Sequence, residues 1–253
     1  MNTAAKPPLV FIHGMWCGPE VFANYRIFFE NLGYQCHCPP LRHHERADNR
    51  HSLPGTTSLL DYASDLEIFI RSLPGKPILI GHSMGGLLAQ ILCARELAEK
   101  AVLVCPAAPA GIHALTPSVV RSFAGVMARW GFWKKVNKLS AAAARYALFN
   151  RLPEEDIPAA LQAMRYESGR AAFEMGFWLI DPKRASAAPA ELITQPLLII
   201  SGSDDHITPA SVHKKIAVRY GAEYRRYKNH AHWLIAEPGW DEIAADIVAW
   251  LQK

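Results

Sequence analysis

Residues 78–88 read ILIGHSMGGLL: an apolar run, Ile78-Leu79-Ile80, breaks at Gly81-His82-Ser83-Met84-Gly85 and resumes from Leu87 as a helix-type apolar run. A strand that ends in a serine flanked by glycines, with a helix following, places the serine on a sharp turn, because glycine lacks the Cβ that would resist it. A hydroxyl exposed in this way can act as a nucleophile when a base and oxyanion donors stand beside it. The alternative is a strand-to-helix turn whose shape merely needs glycine. The companions of Ser83 elsewhere in the chain decide between the two.

Strand-like runs recur at 8–14, 34–40, 76–83, 100–109, 195–205 and 222–230, most of them rich in Val, Ile and Leu and ending in small or polar residues. Runs apolar on both faces suit parallel strands sandwiched between helix layers. Helical patterns at 57–73, 87–98, 209–220 and 241–252 lie between them. This alternation predicts an α/β fold, an open doubly wound, mostly parallel sheet of about six strands. The rhythm stops from Gly111 to about Leu192, where Ala-, Arg-, Trp- and Phe-rich helical patterns are interrupted at Pro153, Pro158 and Pro182 and no convincing strand is read. The expected organisation is a core of residues 1–110 and 193–253, with 111–192 as a helical cap over the carboxyl ends of the strands, where open α/β sheets bind ligands.

Half of the 253 residues are hydrophobic and a fifth are charged, the balance of a globular chain rather than a disordered or membrane-spanning one. The net charge of +4 comes from interspersed Lys and Arg and does not point to nucleic acid. Cys17, Cys36, Cys38, Cys93 and Cys105 form no even disulfide framework, which suggests reduced thiols and a cytoplasmic location. MNTAAK has no signal-type apolar region, and no apolar stretch is long enough to span a membrane.

Gly81-His82-Ser83-Met84-Gly85 fits G-x-S-x-G in its strand-before, helix-after context. Asp204 and Asp205 follow a later strand and offer a carboxylate to orient an imidazole; His230 and His232 follow the last strand. His13-Gly14-Met15-Trp16 follows the first strand, so the backbone N–H groups of Met15 and Met84 are the expected oxyanion donors. The chain order is Ser, Asp, His.

VFIHGMW (10–16), ILIGHSMGG (78–86), ISGSDDHITP (200–209) and NHAHWLIAEPGW (229–240) carry a resemblance to the α/β-hydrolase superfamily of serine esterase and lipase type, which covers most of the chain outside 111–190. The resemblance implies a compact six-stranded core and a serine carboxylic-ester hydrolase acting on small to medium acyl substrates, with no cofactor and no metal. Within it, the G-x-x-D-x-I-x-P spacing favours Asp205 over Asp204, and the H-x-x-x-x-E spacing to Glu237 favours His232 over His230. Ser83, Asp205 and His232 are thus the expected triad. Thioesterase, lactonase and carbon–carbon bond hydrolase activities share this triad, and a low-turnover ligand receptor or carrier-protein-binding module is the alternative from another class. Dehalogenases and epoxide hydrolases carry Asp at the Ser83 position, and hydroxynitrile lyases usually carry Lys where Trp233 stands.

His13, Gly14, Trp16, His82 and Trp233 border the site as candidate substrate contacts, although for His13 and His82 a packed, hydrogen-bonded role is preferred to a mechanistic one. The histidine-rich run from Arg42 to His51 lacks metal-ligand spacing and is read as a solvated loop bordering the pocket. Cys36 and Cys38 are read as alternate faces of one strand. Residues 121–151 carry Arg121, Arg129, Lys134, Lys135, Lys138, Arg145 and Arg151 without an acidic residue. This suits an acidic partner or anionic surface, or, as the preferred reading, the solvated face of an amphipathic helix.

Overall fold

The computed structural model describes residues 6–46 and 48–253. The chain opens with β1 (Leu9–Ile12), α1 (Ala23–Asn31) and the two-residue strand β2 (Cys36–His37), followed by α2 (Leu59–Arg71), β3 (Ile78–His82), α3 (Met84–Ala94) and β4 (Lys100–Val104). The stretch from 111 to 192 supplies α4 (Pro117–Met127), β5 (Val136–Asn137), α5 (Ala141–Ala147), α6 (Ile157–Ala163), β6 (Glu167–Ser168) and α7 (Gly169–Gly176). The chain closes with β7 (Leu197–Gly202), α8 (Ala210–Tyr220), β8 (Glu223–Tyr227) and α9 (Trp240–Leu251).

Six strands form one sheet in the order β2-β1-β3-β4-β7-β8, and every pairing in it is parallel. Alternate side chains go to opposite faces. Val10, Ile12, Leu79, Ala101, Leu103, Leu197 and Ile199 pack toward α2, α3 and α8. Leu9, Phe11, Ile78, Ile80, Val102, Val104, Leu198 and Ile200 pack toward α1 and α9. The edges are β2, only two residues long, and β8, whose Arg225 and Arg226 discourage pairing with another chain. No helix among the described residues is long and apolar enough to cross a membrane.

The strand order reverses between β1 and β3. The carboxyl ends of the strands at such a switch point splay apart and leave a crevice. His13-Gly14-Met15 leaves β1 and Ser83 leaves β3 at that place, so topology alone brings these two turns together.

Local sequence explains the helix ends. Ser58 accepts the Leu60 N–H while Asp61 accepts the Ser58 N–H, a reciprocal cap that starts α2. Buried Glu174 on α7 accepts from both Ser58 Oγ and Leu59 N, fastening the 111–192 stretch to the positive end of α2.

Several expectations need correction. Helix α1 was not legible as a helix. The run 34–40 contributes only Cys36 and His37 to the sheet, so Cys38 lies beyond the strand; residues two apart would in any case share one face of a strand, not alternate. The 111–192 stretch contains a small antiparallel ribbon, β5 with β6, too short to leave a period in the sequence. The histidine-rich loop is not simply solvated: His44 is buried with its Nε2 3.3 Å from Glu167 Oε2, and none of the described residues of 41–51 lines the cavity described below. The basic run is partly neutralised by distant carboxylates, Arg145 by Glu154 and Arg151 by Asp204. All five cysteines are free thiols, Cys17, Cys93 and Cys105 buried.

Candidate active site

The turn after β3 is strained. Ser83 has φ 57° and ψ −120°, a conformation that L-residues rarely adopt, and it is held there from several sides. Its N–H donates to Val104 O (3.0 Å), and its carbonyl accepts from Gly86 N (2.9 Å) and Ala107 N (2.9 Å). α3 can start this close to the sheet because Gly85 has no side chain; a Cβ there would collide with the Ile12 and His13 carbonyls. The Ser83 Oγ has no hydrogen-bond partner among the described residues and is not bonded to His232, which leaves the hydroxyl free to rotate. Catalytic hydrogen bonds often form only once substrate is bound.

Asp205 and His232 meet directly, His232 Nδ1 donating to Asp205 Oδ2 at 2.8 Å, both side chains buried. Asp205 Oδ1 also accepts from Ile207 N (2.9 Å) and Thr208 N (2.8 Å), and the Thr208 hydroxyl donates to Oδ2 at 2.9 Å, the same oxygen that His232 engages. Burial alone would raise this carboxyl, but the imidazole beside it outweighs burial and the group is lowered to about 2. With its Nδ1 proton committed, His232 presents Nε2 as the acceptor. Asp204 points elsewhere: it binds Arg151 and Ser203 Oγ. The loop carrying His232 is clamped by buried Glu237, which accepts from Ala231 N, Trp233 N and His230.

Met84 N–H heads α3, where the first turn has no acceptor within the helix, and Met15 N–H follows β1; neither has a partner among the described residues. The two turns touch. A Cβ on Gly14 would lie 2.8 Å from Ser83 Cβ and 3.1 Å from His82 O, so only glycine fits without displacing Ser83. Gly14→Ala should therefore lower kcat about a hundredfold through misplacement of reacting groups. Steady-state kinetics at unchanged melting temperature checks this, and an unaltered kcat would refute the contact.

A cavity of about 280 Å³ opens above Ser83 and Met84, with Met15, Trp16 and Thr208 around its floor, Ala107, Ala108 and Ile207 beside them, and residues of the 111–192 stretch as most of its walls. Of the expected substrate contacts, Trp16 lines it. His13, Gly14, His82 and Trp233 do not, because each is engaged elsewhere. His82 Nε2 donates to His232 O (2.8 Å), His13 Nε2 accepts from Leu41 N (3.2 Å), and Trp233 packs edge-on against Phe149 and His82.

Sequence reasoning passed over three groups that position the site. Thr208 braces the Asp205–His232 pair. Asn137 accepts from the Trp16 indole (2.9 Å), and the Arg165 N–H donates to Trp16 O (2.7 Å), so β5 and the stretch before β6 hold the turn that carries Met15. Trp16 itself has φ 61°. A positive φ at a tryptophan signals an enforced turn but cannot be read from sequence.

Cys105, Asp205 and His232 are the one cluster of three potential metal ligands among the described residues, their ligand atoms within 4.8 Å of one another. Burial pushes the Cys105 thiol well above its usual range. Burial thus disfavours the thiolate, the form in which a cysteine binds metals.

Buried histidines bear on the acid stability of the fold. Burial pushes His82 down to about 3 and His213 to about 4, and it holds His13, beside His44, well below its ordinary value. Below about pH 6.5 these groups take up protons only in the unfolded chain, so each removes about 1.4 kcal/mol of stability per pH unit down to its folded value. The melting temperature should fall steeply from about pH 6.5 to about pH 4. Scanning calorimetry across that range tests it, and a flat profile would show that the histidines are not held neutral.

Residues 9–246 match the model of the alpha/beta hydrolase family. The chain belongs to the alpha/beta hydrolase family. Solved structures similar to this hydrolase include a pyrethroid hydrolase from Sphingobium faniae JZ-2, 15% identical, covering 97% of each chain with a TM-score of 0.68. Methylketone synthase I of tomato is 17% identical over 98% of each chain, with a TM-score of 0.71. Polyneuridine aldehyde esterase is 18% identical, covering 96% of the hydrolase and 99% of that chain, with a TM-score of 0.70. At such identities the likeness is one of fold. The differing names on one fold also mean that the chemistry of the hydrolase has to be argued from its own site.

Proposed function

We propose that this hydrolase cleaves carboxylic esters of small to medium acyl groups through a Ser83-His232-Asp205 triad, with residues 111–192 as a cap over the site. The observation that carries the reading is the buried Asp205–His232 hydrogen bond, which leaves Nε2 free to act as a base; the serine raised on the strained turn after β3 is the hydroxyl it would serve. His232 Nε2 takes the Ser83 proton as Oγ attacks the ester carbonyl. Asp205 stabilises the imidazolium, and the N–H groups of Met15 and Met84 bind the developing oxyanion, each worth roughly 3 kcal/mol. Collapse breaks the carbon–oxygen bond, and the alcohol leaves with the proton from His232. Water, deprotonated by the same imidazole, attacks the acyl-enzyme; Ser83 regains the proton and the acid departs.

A fluorophosphonate probe should attach to Ser83, located by peptide mass spectrometry, and p-nitrophenyl butyrate should be turned over many times per chain. Labelling without turnover would turn the reading toward a receptor, and absence of labelling would refute it.

A further inference from the structure

The walls of the cavity are unusual in what they lack. Among the described residues, none that lines it is Asp, Glu, Lys or Arg, and the polar side chains are confined to Ser83 and Thr208 at the floor and His113 at the mouth. The buried depth is hydrocarbon and aromatic: Trp16 against Phe123 at 5.6 Å, with Val126, Phe132 and Ala172 beyond. At the mouth, Leu115, Leu179 and Ile180 remain 62%, 70% and 69% exposed while lining the cavity. An apolar entrance leading to an apolar interior offers no compensation for a charge that sheds its water on the way in.

We propose that the ester carries a neutral hydrocarbon group, aliphatic or aryl, of up to about ten carbons, which fills this cavity from the acyl or the alcohol side while the ester carbonyl sits at Ser83. The size follows from volume. The cavity's 280 Å³ is about twice that of an apolar cavity that takes up benzene. The assignment rests on the ester-hydrolase reading for the reaction, but the cavity's preference stands on its walls alone.

The test is a chain-length series on the intact protein: p-nitrophenyl esters from acetate to dodecanoate, and alkyl acetates over the same lengths. In the series whose chain enters the cavity, kcat/KM should rise about fourfold per methylene, to a maximum near eight to ten carbons. An ester of the same length ending in a carboxylate should be at least about a hundredfold poorer. Ala172→Phe, which places a ring in the cavity wall, should move the maximum to shorter chains; Met127→Phe is the second variant if the first does not fold. Flat profiles in both series, or equal turnover of the carboxylate-ended ester, would overturn the proposal. Binding of N-octylacetamide to the Ser83→Ala protein, followed by tryptophan fluorescence, separates the two readings. Binding supports the cavity assignment even if the Ser83 chemistry fails, and no binding removes it even if that chemistry stands.

Discussion

Ser83→Ala is expected to lower kcat for a p-nitrophenyl ester about a millionfold, with KM within about threefold of the parent value. The side chain removed is the proposed nucleophile, and no other hydroxyl stands on the strained turn after β3. Because Ser83 Oγ has no hydrogen-bond partner among the described residues, its loss leaves no buried group unsatisfied and the melting temperature should hold. Single-turnover kinetics on protein titrated with a fluorophosphonate separates true residual activity from contaminating parent enzyme. Retention of more than about a hundredth of the activity would end the serine mechanism.

Asp205→Asn should cost about ten-thousandfold in kcat, while the neighbouring Asp204→Asn should change it by no more than a fewfold. Both replacements remove one charge from adjacent positions, so the contrast isolates what the carboxylate touches. At 205 it holds the Nδ1 proton of His232 and opposes the imidazolium. An amide there can still accept from Ile207 N and Thr208 N, which preserves the loop but admits the wrong histidine tautomer. At 204 the loss is a half-exposed pair with Arg151, worth less than about 1 kcal/mol. Equal effects at the two positions would mean that the acid has been misassigned.

The parts of this molecule that could be read in the sequence are those whose cause is local. β1, β3, β4 and β7 are runs apolar on both faces because both faces are covered by helices, and the turn at Ser83 announces itself through its glycines. Helix α1 stayed hidden because its apolar residues do not form one stripe: Tyr25 and Phe29 are buried whereas Ile27 is 53% exposed. Asp205 and His232 could be placed by spacing, but the choice between Asp204 and Asp205 depends on which carboxylate faces the ring, a matter of geometry. His44 was misjudged for the same reason. Its partner Glu167 lies far along the chain, and nothing in the loop sequence indicates that a buried carboxylate waits for it. The cavity lining was the least legible: the packed roles preferred for His13 and His82 match their hydrogen bonds, but tertiary packing also makes Trp233 a brace and draws most of the walls from residues between 111 and 192.

The hydrogen bonds on Trp16 bear on how this enzyme could be diversified. Exchanging residues 111–192 for the equivalent stretch of a relative is the direct way to graft a new specificity, because the proposed triad lies wholly outside it. Yet the indole N–H of Trp16 ends on Asn137 and its carbonyl on Arg165 N, both inside the exchanged piece. A graft without an acceptor at 137 strands a buried donor at a cost of about 1–3 kcal/mol, and it does so one residue from a proposed oxyanion donor. A transplant has to carry the acceptor with it, or bring a residue at 16 that needs none.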